Sequence, residues 1–139
     1  MISHLLLAVD VETSNEATRV AGDLAEATGA DVKVLHYDEL DSHFDTAVWL
    51  DDDTELRTPV GDAVTQLRHR GVTARGVTSR TASSKATAQA VLREERGSAA
   101  DILIMGLPKF HHVGGLFVGS VAAEVAAHTR IPLLLVPAP

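Results

Sequence analysis

Between residues 106 and 120 the chain reads GLPKFHHVGGLFVGS, fifteen residues with four glycines set between the apolar run DILIM and the alanine-rich stretch VAAEVAAHT. A plain strand-to-helix connection takes about two to six residues. The extra length, and glycines that let the main chain approach an anion closely, suit a loop that wraps around the fold or one that holds a ligand. Gly119 and Ser120 precede a helix whose free N–H groups and positive dipole end suit phosphate oxygens. The Ser120 hydroxyl could cap that helix or donate to such an oxygen. An ordinary helix start at Gly119–Ser120 and a turn at Gly114–Gly115 would give the same pattern. The second chemistry-bearing residue is Asp10, a carboxylate that ends the apolar run HLLLAV; a turn or cap residue is its other reading. His111 and His112 could chelate a metal, but no carboxylate or third histidine stands at a ligand spacing, and His36 and His43 lie elsewhere. Surface histidines are the expectation. Ser83–Ser84 reads as a helix N-cap before it reads as a modified or catalytic serine.

Five short apolar runs must position these residues: HLLLAV (4–9), DVKVLHY (31–37), VTARGVT (72–78), DILIM (101–105) and PLLLV (132–136). The first and the last two are nearly continuous in hydrophobicity, which predicts strands buried on both faces of a parallel sheet. Four amphipathic stretches lie between the runs. The first opens on Thr13 and Glu16 in capping-box spacing, aligns Ala17, Val20, Ala21, Leu24 and Ala25, and stops at Gly29. The second has Thr58 as N-cap, Pro59 in the first turn, an apolar stripe of Val60, Ala63, Val64 and Leu67, and Gly71 as its stop. The third runs from about Ser84 to Gly97 and buries Ala88, Val91 and Leu92. The fourth begins near Ser120 with Ala122, Val125, Ala126 and Thr129 on one side. Strand and helix alternate throughout, so the expected fold class is α/β: one domain, 1–139, with an open doubly wound parallel five-stranded sheet flanked by four helices, Rossmann-like. Ligands of such sheets sit beyond the carboxyl ends of the strands, where strand order reverses. If the first and fourth strands are neighbours, Asp10 and Gly106 face one crevice.

Composition narrows the function classes. The chain has 139 residues, 12 Lys and Arg against 19 Asp and Glu, and a formal charge of −7. An acidic balance with no basic cluster argues against nucleic-acid partners. Cysteine is absent, which removes disulfides and thiolate chemistry. MISHLLLAVD is too short for a membrane span and lacks the charged start of a secretory signal, so no membrane partner and a cytoplasmic location are expected. DVETSN after the first run has no glycine for a dinucleotide fingerprint, and no Walker A or G-x-S-x-G motif occurs. The third run is followed by Ser79, with no carboxylate there for a phosphoacceptor site. No motif positions a general base, so an enzyme is not expected beyond slow ATP hydrolysis. The segment DELDSHFDTAVWLDDD (38–53) carries seven carboxylates with Phe44 and Trp49; it reads as a solvated connection, or as a flap or docking patch built on AVWL.

Gly106, two residues, Lys109, nine residues, then Gly119-Ser120 resembles the nucleotide-binding signature of the universal stress protein family, G-2x-G-9x-G-[S/T]. The resemblance spans the whole chain: element order, length, Asp10, VLH at 34–36 and the closing PLLLV. It implies ATP or a related adenine nucleotide, with or without Mg²⁺, as ligand. Carried over by position, Asp10 would bind ribose hydroxyls and Tyr37 would meet adenine through its main chain. Gly106, Gly119 and Ser120 would line the phosphates, with Met105 and Val121 flanking. Lys109 replaces the second signature glycine; a glycine-only backbone conformation there would cost it about 1–2 kcal/mol, while its ammonium could neutralise phosphate. Val11 and Glu12 also depart from the small residues and serine of relatives. These departures keep a second reading open, a dimeric interaction module that binds no nucleotide. The family implies a homodimer through the last strand, and IPLLLVPAP suits a sheet edge that a partner would cover.

Overall fold

The computed structural model describes residues 1–10, 14–39, 59–107 and 120–138. Strands and helices alternate as β1 (His4–Ala8), α1 (Ser14–Thr28), β2 (Asp31–Glu39), α2 (Pro59–His69), β3 (Ala74–Thr81), α3 (Ser84–Gly97), β4 (Ile102–Leu107), α4 (Ser120–His128) and β5 (Leu133–Pro137). The five strands form one sheet in the order β3-β2-β1-β4-β5, and every pairing is parallel. This is the Rossmann-like α/β fold expected, with helices on both faces.

The middle strand explains why its sequence is continuously apolar. Leu5 and Leu7 enter a core with Ala17, Ala21 and Ala25 of α1 and Val60, Ala63 and Leu67 of α2. Leu6 enters the opposite core, with Ala88 and Val91 of α3 and Ala122 and Val125 of α4. Side chains that alternate between two buried faces leave no polar position on the strand beyond the exposed His4 at its start. Each fully buried leucine contributes about 1.5–3 kcal/mol. The edge strands behave differently. β3 is exposed from Arg75 to Arg80, and on β5 only Val136 is buried while Leu134 is 39% exposed. Burial on both faces therefore holds for β1 and β4 and fails for β5, which has β4 as its single neighbour.

Local signals set most of the ends. Gly71 takes φ 78 beyond α2 and donates to Arg68 O, while Val72 N donates to Leu67 O, so the last turn closes on its own carbonyls. Ser83 caps α3 as expected, its side chain accepting from Ala86 N at 3.1 Å. Beyond the Ser98 cap, Ala99 holds φ 54, a left-handed position without glycine. The stripe of α2 is buried as read. On α1 the buried residues are Ala17, Thr18, Ala21, Gly22 and Ala25, with Val20 and Leu24 only partly covered at the margin. On α4 Ala126 is exposed, because the short helix turns only the Ala122–Val125 side to the sheet. The expected caps Thr13 and Thr58 lie outside the described residues.

Candidate functional site

From β1 the chain moves to β2 and β3 on one side, then returns to β4 and β5 on the other. Strand order therefore reverses between β1 and β4. Their register pairs Ala8 with Met105, so Asp10 leaves β1 two residues past this pair and Gly106 follows one residue past it. The adjacency on which the crevice depended is present. Ser120 begins α4, the helix that follows β4. Asp10 is exposed, Gly106 half-buried, and Val121 packs partly against the α3–α4 core. Met105 is buried in that same core, which leaves its main chain as the part near the crevice.

Tyr37 is placed in a similar way. Its ring packs against the α3–α4 core, where burial and the nearby Glu94 carboxylate push its hydroxyl above the ordinary tyrosine value and Arg93 opposes them. Lys33, four residues earlier on the same face, pairs with Glu94. In β2 the odd-numbered residues turn their main-chain groups toward β1, as Asp31 N to Ser3 O illustrates, while Val32 N turns to Thr73 O of the β3 side. The Tyr37 main chain thus faces the β1 side of the sheet. Lys109 and Gly119 lie outside the described residues, as do Val11, Glu12, His43, Phe44, Trp49, His111, His112, Gly114 and Gly115. Of Ser120 the main chain alone is described.

One residue of this end escaped the sequence reading as a site residue. His36 is not a surface histidine: it is 7% exposed, with Nδ1 2.7 Å from Val9 O and Nε2 2.7 Å from Asp38 Oδ1. Both partners are acceptors when Asp38 is ionised, so a doubly protonated ring satisfies both bonds. A signal for it existed, since His36 shares the strand phase of the buried Val32 and Val34, and a polar residue in a core phase needs partners. Among the described residues no group of three or more histidine, aspartate or glutamate side chains could hold a metal ion. Behind the site, the buried Glu95 of α3 accepts from Thr129 Oγ1 at 3.0 Å and Arg130 N at 2.9 Å. That anchors the far end of α4, whose N-terminus carries the partial positive charge useful to an anion.

The profile of the universal stress protein family matches residues 1–137. A search of curated proteins finds no match. Among solved structures, a universal stress protein from Archaeoglobus fulgidus is 19% identical with a TM-score of 0.74, covering 97% of this chain and 98% of its own. A structure of the universal stress protein from Archaeoglobus fulgidus in complex with dAMP is 18% identical, with a TM-score of 0.67 and the same coverage of 97% and 98%. A universal stress protein family protein from Arabidopsis thaliana with AMP bound is 12% identical over 99% of this chain and 92% of its own, with a TM-score of 0.66. No helix among the described residues is long and apolar enough to cross a membrane.

Proposed function

The chain belongs to the universal stress protein family, and from that premise we propose that it binds an adenine nucleotide in the crevice between the carboxyl ends of β1 and β4. The observation that carries this reading is the Ala8–Met105 pairing, which brings the exits toward Asp10 and Gly106 side by side at the reversal of strand order. Asp10 would accept from ribose hydroxyls, the Tyr37 main chain would meet the adenine edge, and Gly106 with the α4 start at Ser120 would receive phosphate. The dAMP and AMP complexes of the two similar proteins support an adenine nucleotide as the class. ATP is the finer choice, drawn from the Gly106–Gly119-Ser120 signature, and Lys109 would meet its phosphates. Mg²⁺ would arrive on those phosphates, since that ion keeps most of its ligands as phosphate oxygens and water. The role is regulatory, with at most slow hydrolysis. A homodimer through β5 goes with it, favoured by the half-exposed Leu134 on an edge strand. The edge also supports the second reading, a dimeric module without nucleotide, for which the Lys109 replacement speaks.

Calorimetric titration with AMP and ATP separates the two. A dissociation constant near 1 μM corresponds to about −8 kcal/mol, and saturation at about a hundred times that constant adds ~2.7 kcal/mol of stability. Asp10→Ala should weaken binding about 10- to 100-fold, the worth of a hydrogen bond to a charged group. Heatless titrations with both nucleotides would leave the dimeric module.

A further inference from the structure

The β1–β2 ladder ends one rung early, and a side chain ends it. The pairing runs from His4↔Asp31 to Ala8↔Leu35, and Val9 N still donates to Leu35 O at 2.9 Å. In a parallel ladder the next donor to the Val9 carbonyl is the Tyr37 N–H. Here the donor is the His36 ring, whose Nδ1 lies 2.7 Å from Val9 O. A carbonyl only accepts, so the proton is on Nδ1. Asp38 Oδ1, 2.7 Å from Nε2, holds the ring in that orientation. Meanwhile β2 continues to Glu39, paired on its other side with β3 as far as Glu39↔Thr81. The β1–β2 backbone pairing therefore stops at the residue just before Asp10, level with the Tyr37 main chain.

We propose that His36 is a positioning residue of the nucleotide site: by taking the Val9 carbonyl in place of the Tyr37 amide, its imidazole keeps that amide available to a ring-nitrogen acceptor of the base and sets the exit of β1 toward Asp10. The inference rests on the adenine-nucleotide reading for its ligand, but not for its ladder geometry. Without the ring, the donor that the ladder offers to Val9 O is the Tyr37 N–H, so loss of the imidazole hands the carbonyl back to the backbone. The ladder then closes over the place where a base edge would enter.

Two substitutions divide the ring's contacts. In His36→Asn the amide nitrogen occupies the position of Nδ1 and can still donate to Val9 O, without reaching Asp38. In His36→Gln the amide nitrogen occupies the position of Nε2, keeps Asp38 and abandons Val9 O. AMP titrations should find the asparagine variant within about threefold of the parent and the glutamine variant weaker by about tenfold or more. Amide hydrogen exchange of the ligand-free proteins gives the second readout. The Tyr37 amide should exchange much faster than the Leu35 amide in the parent and become protected in His36→Gln. A purely structural role would lower the melting temperature of both variants and leave the order of affinities unmoved. Equal affinities in the two variants, or a Tyr37 amide already protected in the ligand-free parent, overturn the proposal, and the parent measurement holds even if a variant fails to fold. If the parent binds no AMP, the nucleotide reading falls, while the exchange comparison still decides whether His36 opens the ladder.

Discussion

Polar side chains with long-range partners do the local fastening in this chain. Asp101 Oδ2, just ahead of β4, accepts from Ser3 N at 2.7 Å and His4 N at 2.9 Å, tying the start of β1 to its neighbour. Those two backbone donors, with Ser3 the larger, hold the Asp101 carboxyl below the ordinary aspartate value. A carboxyl depressed in the folded state contributes stability above its unfolded value and loses it as pH falls through the folded one. Asp101→Asn should therefore melt below the parent at neutral pH, and the gap should close as the pH is taken below about 4, the unperturbed range. A gap that stays constant across that range would remove the carboxylate charge from the explanation. Asp10 was legible because a carboxylate that ends a continuous apolar run marks a strand exit. His36 was legible only as a polar residue in a buried phase, because its partner is a carbonyl 27 positions away in sequence.

Elements were readable where their signals are local and opaque where they are not. The α2 stripe and its glycine stop follow from spacing and from a left-handed φ, both written in neighbouring residues. The end of α3 at Gly97 was read from sequence as well, but the left-handed turn two residues further on is held by Ala99 at φ 54, which carries no glycine signature and was found only in three dimensions. A non-glycine residue there costs about 1–2 kcal/mol, part of which glycine returns as unfolded-chain entropy. Ala99→Gly should raise stability by about 0.5–1 kcal/mol in denaturant melts, and a loss would show that the alanine is not strained. Gly76 presents the opposite case. A Cβ there would lie 2.2 Å from Val60 Cγ1, so α2 approaches β3 only because the side chain is missing. Gly76→Ala should cost about 1–3 kcal/mol by overpacking. Strand order also escaped local reading, since the sequence of β3-β2-β1-β4-β5 is decided by pairings between distant residues.

For the whole molecule, a central strand buried on both faces stands between two exposed edge strands; the proposed function puts a ligand at the carboxyl end of the sheet and a partner on the β5 edge. Leu134 is the apolar group on the β5 edge, and Leu134→Asp should convert a dimer to a monomer in light scattering if that edge is the interface. Hollows also exist at the opposite, amino end, lined by His4, Asp31, Thr73 and Arg75 on one side and by Glu26, Gly29 and Gly71 on another. They compete directly with the carboxyl-end crevice as places for a small molecule. Nuclear magnetic resonance of the labelled protein during an AMP titration distinguishes them in one experiment. Amide shifts should concentrate at Asp10, Tyr37, Gly106, Ser120 and Val121, with Ser3, Asp31 and Thr73 unmoved. Shifts gathered at His4, Asp31 and Thr73 instead, or none at either end, would contradict a nucleotide site between β1 and β4.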